Sequence, residues 1–177
     1  MGTRNRSIVM SAGTVLATAL LSFNPANALI ININAGPTLS GNAPALAAFN
    51  RAADQWESLF TDPITVTIAA DVLNLGSPST IGQASSVQLT GGFNTVRNQM
   101  VVDALDEADD TVVLSLPTFA NFSVFLPTGF SLGGGVSATK ANFKALGFSG
   151  LDTTFGLTDA TIQFNSQFSF DYDNSNG

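Results

Sequence analysis

The chain has 177 residues, 6 basic against 13 acidic, with no Cys and no His. Those two absences exclude disulfides, thiolate or His-ligated metal sites, and Cys-His or Ser-His-Asp catalysis within these residues. A pI of about 4.1 argues against a nucleic-acid partner, which calls for a basic stripe, and 45% apolar with 11% charged residues excludes charge-driven disorder.

Arg4 and Arg6 give the first residues a small positive charge. Residues 8–23 are mostly apolar, with Val15, Leu16, Leu20 and Leu21 at their centre, and Ala26-Asn27-Ala28 closes them with an A-x-A pattern. This order predicts a secretory signal peptide over 1–28 and an exported mature chain over 29–177. The apolar run is short and broken by Ser11, Gly13 and Thr14, which disfavours an anchor. No later stretch is long enough to span a bilayer, so no membrane partner is expected after cleavage.

The mature chain reads as a mixture of helices and strands. Residues 29–34 are β-branched and predict a first strand, broken by Ala35-Gly36-Pro37. Asn42 and Pro44 start a helix whose apolar face is Leu46, Phe49, Ala53, Trp56 and Phe60, with Trp56 expected in the core. Asp62-Pro63 stops it, and residues 64–68 alternate as a half-buried strand. Residues 75–92 read as loop with at most one short strand near Val87 and Leu89. Asn94 predicts the cap of a second helix through Ala108, with Val96, Met100, Val101, Ala104 and Leu105 on its apolar face. Residues 112–116 and 122–126 are strand candidates closed by Pro117 and Pro127, and Gly133-Gly134-Gly135 is a flexible joint. Ser137 is placed as the cap of a third helix ending at Gly147. Ala160, Ile162 and Phe164, then Phe168, Phe170 and Tyr172, alternate with polar residues as a pair of strands or one bent strand. The sequence then ends on a turn signal over 171–177, which leads us to expect a reading frame that continues.

Several strings imitate functional motifs. Ser137-Ala-Thr-Lys140 fits S-x-x-K, but its partner motifs S-D-N and K-T-G are absent. Gly133 to Ala138 fits a loose G-x-G-x-x-A, which binds a dinucleotide only between a strand and a helix. Asp171, Asp173 and Ser175 occupy the first alternating oxygens of a calcium loop. Position six is Asn176 rather than Gly, no bidentate Glu follows, and an Asx turn is the simpler expectation. Asp103, Asp106, Glu107, Asp109 and Asp110 cluster near the end of the second helix, a solvated face or a second calcium candidate.

One resemblance spans most of the mature chain. It rests on Ala48-Phe-Asn-Arg-Ala-Ala-Asp-Gln-Trp-Glu57, Ile64-Thr-Val-Thr-Ile68, Phe93-Asn-Thr-Val-Arg97, Ala141-Asn-Phe-Lys-Ala-Leu-Gly147, Ala160-Thr-Ile-Gln-Phe-Asn165 and Phe168-Ser-Phe-Asp-Tyr-Asp173 in this order. Each piece is a loose pattern of core residues; their order makes the case. The chain resembles the N-terminal half of secreted bacterial zinc metalloproteases of metzincin-like type, often associated with PEP-CTERM sorting signals. The resemblance implies an α+β fold, a twisted mixed sheet with flanking helices, truncated before the zinc-binding helix. In that family the next helix carries H-E-x-x-H, whose two His bind zinc while the Glu activates water. This chain has no His, so no zinc ligand or catalytic residue carries over. What remains is a scaffold, inactive as given, for an enzyme acting on peptides or proteins. The family pairs its substrate with a sheet edge, and Ile162 with Phe164, or Phe168 with Phe170, are the expected edge-strand residues. A second reading is a non-catalytic extracellular binding or adhesion module.

Overall fold

A computed structural model describes residues 29–106, 110–173 and 175. The predicted signal segment, Glu107 and Asp109 of the acidic cluster, Ala108 at the expected end of the second helix, and Asn174, Asn176 and Gly177 of the C-terminal turn lie outside the described residues.

The structure is α+β, a mixed sheet flanked by helices. Strand β1 (Ile30–Ala35) leads into a single-turn helix α1 (Pro37–Ser40) and then α2 (Ala43–Glu57), whose cap Asn42 accepts a hydrogen bond from Ala45 N. The turn after β1 is therefore helical rather than a plain break. Gly36 at its N-cap has no side chain to offer, and the Asp71 carboxylate supplies the missing acceptor to Leu39 N at 2.8 Å. Asp71 sits on β2 (Thr65–Leu73). A Cβ on Gly36 would lie 2.2 Å from Asp71 Oδ2, so this close approach requires glycine.

A strand, β3 (Gly82–Ser86), appears where the sequence suggests loop, and β4 (Gln88–Gly92) is the short strand expected near Val87 and Leu89. Helix α3 (Phe93–Asp103) follows directly. Asn94 lies inside it rather than capping it, and its side chain accepts a hydrogen bond from Phe119 N. The strand expected over 112–116 is instead a 3₁₀ turn, Val112–Ser115, and residues 122–126 form no strand. Strand β5 (Gly135–Thr139) pairs antiparallel with β4. The supposed glycine joint thus ends in a strand, and Ser137 lies within it, its hydroxyl 2.8 Å from that of Thr90. Thr139 caps α4 (Lys140–Ala145). The short α5 (Leu151–Phe155) and β6 (Ala160–Asn165) complete the set.

The main sheet has the order β1-β2-β6-β3. β1, β2 and β6 run parallel, and β3 pairs antiparallel with β6. The register aligns Ala35, Ala70, Ile162 and Ala84 in one row, and Val72, Phe164 and Gly82 in the next. This apolar face receives α1 and α2, and Leu39, Ala45, Ala70 and Val72 form its buried centre, backed by Ile33, Leu46 and Phe49. The other face carries Asn34, Thr161, Ser85, Gln163 and Gln83, as period-two alternation dictates. Trp56 departs from expectation: α2 ends at Glu57, and the indole is 56% exposed, stacked on Phe60 at 6.1 Å.

Candidate functional site

The two edges of the main sheet differ. On β1, the outward Ile31 N donates to the Glu57 carboxylate at the end of α2, and Ile31, Ile33 and Ala35 are half-buried. On β3, every residue is exposed. Its pairing with β6 fixes which backbone groups are engaged. Asn165 N donates to Ile81 O and Val87 N to Asp159 O, which marks both as hydrogen-bonded pairs. The alternation of an antiparallel ladder then turns Gln83 and Ser85 toward β6. The N–H and C=O groups of Gly82, Ala84 and Ser86 face away from the sheet. β3 is an open edge with pairing groups at every second residue.

This corrects the expected edge strand. Ile162 and Phe164 lie on β6, paired on one side with β2 and on the other with β3, so neither can receive an added strand. Phe168 and Phe170 belong to no strand; the chain turns after Asn165, with Phe168 N donating to Asn165 O. What the structure brings together is different. Ile162, Phe164 and Phe170 line an apolar hollow of about 350 Å³, closed by Ala48, Phe49 and Ala52 of α2. Phe164 meets Phe49 at 5.7 Å and Phe170 at 5.4 Å, both edge-to-face. Phe168 is not among the lining residues. The hollow lies on the apolar sheet face.

In the C-terminal segment, the Asp171 and Asp173 carboxylates each accept from the amide two residues on, as in an Asx turn. Asp173 N donates to Asp171 Oδ1 and Ser175 N to Asp173 Oδ1, each at 2.9 Å. Hydrogen bonds from the Ser175 side chain and amide hold the Asp173 carboxyl below its usual value. Arg51 fastens the segment to α2 by donating to Tyr172 O at 2.6 Å. Among the described residues no group of three or more acidic side chains converges as a metal site. With no His or Cys in the chain, the residues present do not fit a zinc centre either.

The S-x-x-K and G-x-G-x-x-A strings do not form their sites. Ser137 is exposed on β5, while Lys140 is fully buried at the start of α4. Gly133 and Gly134 precede a strand, where a dinucleotide loop needs a helix.

Lys140 instead belongs to a four-charge cluster that pattern reading misses. It is the first residue of α4, with Lys144 one turn on, Asp152 in the first turn of α5 and Asp159 just before β6. Lys140 Nζ donates to Gly156 O and Thr158 O and lies 3.0 Å from Asp152 Oδ1 and 3.2 Å from Asp159 Oδ1. Lys144 Nζ reaches Thr65 O at 2.9 Å, Asp159 Oδ2 at 2.8 Å and Asp152 Oδ1 at 2.7 Å. Asp159 Oδ2 also accepts from Thr67 N. The cluster thereby ties β2, α4, α5 and the start of β6 together.

Burial disfavours the charged form of Lys144, but hydrogen bonds and charge from Asp152 and Asp159 outweigh it and raise its pKa. Burial likewise opposes ionisation of Asp152, yet Lys144 and Lys140 hold its carboxyl below the usual value. Lys144 faces a cleft of about 450 Å³ together with Ile64, Phe148, Leu151 and Asp152. Two hydrogen bonds, to Thr65 O and Asp159 Oδ2, and the ion pair with Asp152 hold it as a structural cation rather than a nucleophile.

No protein-family model, curated protein or solved structure matches the chain.

Proposed function

We propose that this chain is the scaffold half of a secreted zinc-dependent metalloprotease, one that holds an extended peptide while a further segment supplies the metal and its water. The open edge of β3 carries this reading. An extended substrate can add to Gly82, Ala84 and Ser86 by main-chain hydrogen bonds, the mode that lets an enzyme grip many sequences alike. The apolar hollow beside α2 supports it further. Ile162, Phe164 and Phe170 form a floor, and Ala48 and Ala52 leave room for a close-packed helix. A helix carrying H-E-x-x-H would bury an apolar flank there and turn its His pair outward. The chain itself is inactive in this reading, because it contains no His.

The test begins with the DNA beyond the codon for Gly177. An in-frame H-E-x-x-H within a few dozen codons is expected, and the protein from that whole frame should cleave casein in a chelator-sensitive manner. Ala84→Pro in it removes one outward N–H without touching the ladder to β6. Its KM should rise about tenfold, equivalent to about 1.4 kcal/mol. A stop codon directly after Gly177 overturns the proposal. So does a full-frame protein without zinc-dependent proteolysis.

A further inference from the structure

From Thr111 to Thr139 the sequence contains no Asp, Glu, Lys or Arg. The base of this segment is anchored on α3. The Phe93 ring packs on Phe119 and Phe122 at 5.6 and 5.3 Å, Arg97 donates to Leu116 O, and Phe93 N donates to Gly134 O. Beyond that base the chain makes a type II turn, with Phe130 N donating to Pro127 O and Gly129 at φ 90°. Val124, Phe125 and Leu126 precede the turn; Phe130 and Leu132 follow it. All five are exposed, Phe125 completely and Phe130 at 72%. The result is an uncharged loop, anchored at its base, that carries its large apolar side chains outward.

Charge and backbone chemistry select among occupants. A second copy would bring another body of formal charge −7 against the first, which opposes close self-association. An anionic membrane would be repelled for the same reason. Hydrocarbon depth is excluded by the backbone: between Ser123 and Gly133 the Phe130–Pro127 bond is the only one that the described backbone makes, and unpaired amides are not tolerated there. The headgroup boundary has water for the amides and hydrocarbon for the side chains.

We propose that the loop over residues 122–132 inserts shallowly into an uncharged, zwitterionic lipid surface. It is a peripheral contact, independent of any protease activity. The chain has no Cys, so one introduced thiol reports a single position. Phe130→Cys in the full chain, labelled with an environment-sensitive dye, is titrated with phosphatidylcholine vesicles. Its emission should rise and shift to the blue, while the same dye at Leu59→Cys, also exposed, stays unchanged. Adding Phe125→Asp should raise the half-saturating lipid concentration about tenfold. Added salt should leave this binding unaltered, and an anionic lipid fraction should weaken it at low salt. An unresponsive dye at position 130 overturns the proposal. So does equal insertion at both positions, or a change at 130 that follows protein concentration without vesicles, which assigns the loop to self-association.

Discussion

Strand β2 and residues 112–126 are both rich in β-branched and apolar residues, yet they end in opposite environments. β2 has β1 on one side and β6 on the other, and it buries Ala70 and Val72 under α1 and α2. In residues 112–126 only Val113 is buried, and Val112 and Leu114 stand exposed. The difference lies in partners. β2 runs uninterrupted through Leu73, whereas Pro117 and Pro127 each remove a ladder donor beside the apolar runs, and none of the described strands pairs with them. Apolar, β-branched composition makes a strand only where a neighbouring ladder accepts it.

The comparison breaks most severely if the four-charge cluster is disturbed, because it locks β2 and β6 to the helices. Lys140→Met leaves Asp159 buried with one cation fewer, and urea unfolding followed by circular dichroism should show a loss of about 3–5 kcal/mol. The double variant Lys140→Met with Asp159→Leu should recover part of that loss, since no lone charge remains buried. Gly36→Ala places a methyl against the Asp71 carboxylate and should lose about 1–3 kcal/mol in the same measurement.

The cluster also sets a pH window. The lowered pKa of Asp152 contributes stability that is present above its ordinary 3.8 and is lost as pH falls through the folded value. The raised pKa of Lys144 contributes stability that is present below 10.5 and is lost as pH rises through its folded value. Melting temperature should therefore fall below about pH 4 and above about pH 10.5 on account of this cluster, and Asp152→Asn should flatten the acid limb. The smallest effect belongs to the exposed loop: Phe125→Ser should change stability by no more than about 0.5 kcal/mol.

Helix α2, the start of β2 and β6 were legible because their apolar residues repeat at the period of the element that buries them, and α4 was marked by the Gly147 stop although its cap is Thr139 rather than Ser137. β3 was not legible. Gly-Gln-Ala-Ser-Ser carries no strand signal of its own, and pairing with β6 imposes the conformation. The same shortfall misplaced the candidate edge: Ile162 and Phe164 read as a strand, but whether a strand lies at the edge or inside depends on which other segments pair with it. Phe168 and Phe170 alternate correctly yet follow a turn after Asn165, and Phe170 folds back onto Phe164. The charge cluster was hidden because Lys and Asp are ordinarily assigned to the surface. The available signal was the Lys140–Lys144 spacing of one helical turn, followed by Asp152 and Asp159. Gly147, Gly150 and Gly156, each at positive φ, shape the loops on either side of α5.

Residue-resolved amide hydrogen exchange tests the contrast between the paired sheet and its open edge most directly. Slow exchange is expected at Val66 to Val72 and at Ile162 to Phe164. Across β3 the rates should alternate, with Gln83 and Ser85 slow and Gly82, Ala84 and Ser86 fast, and residues 123–129 should exchange fast throughout. Uniform protection along β3, or uniform exposure of β6, would contradict the account.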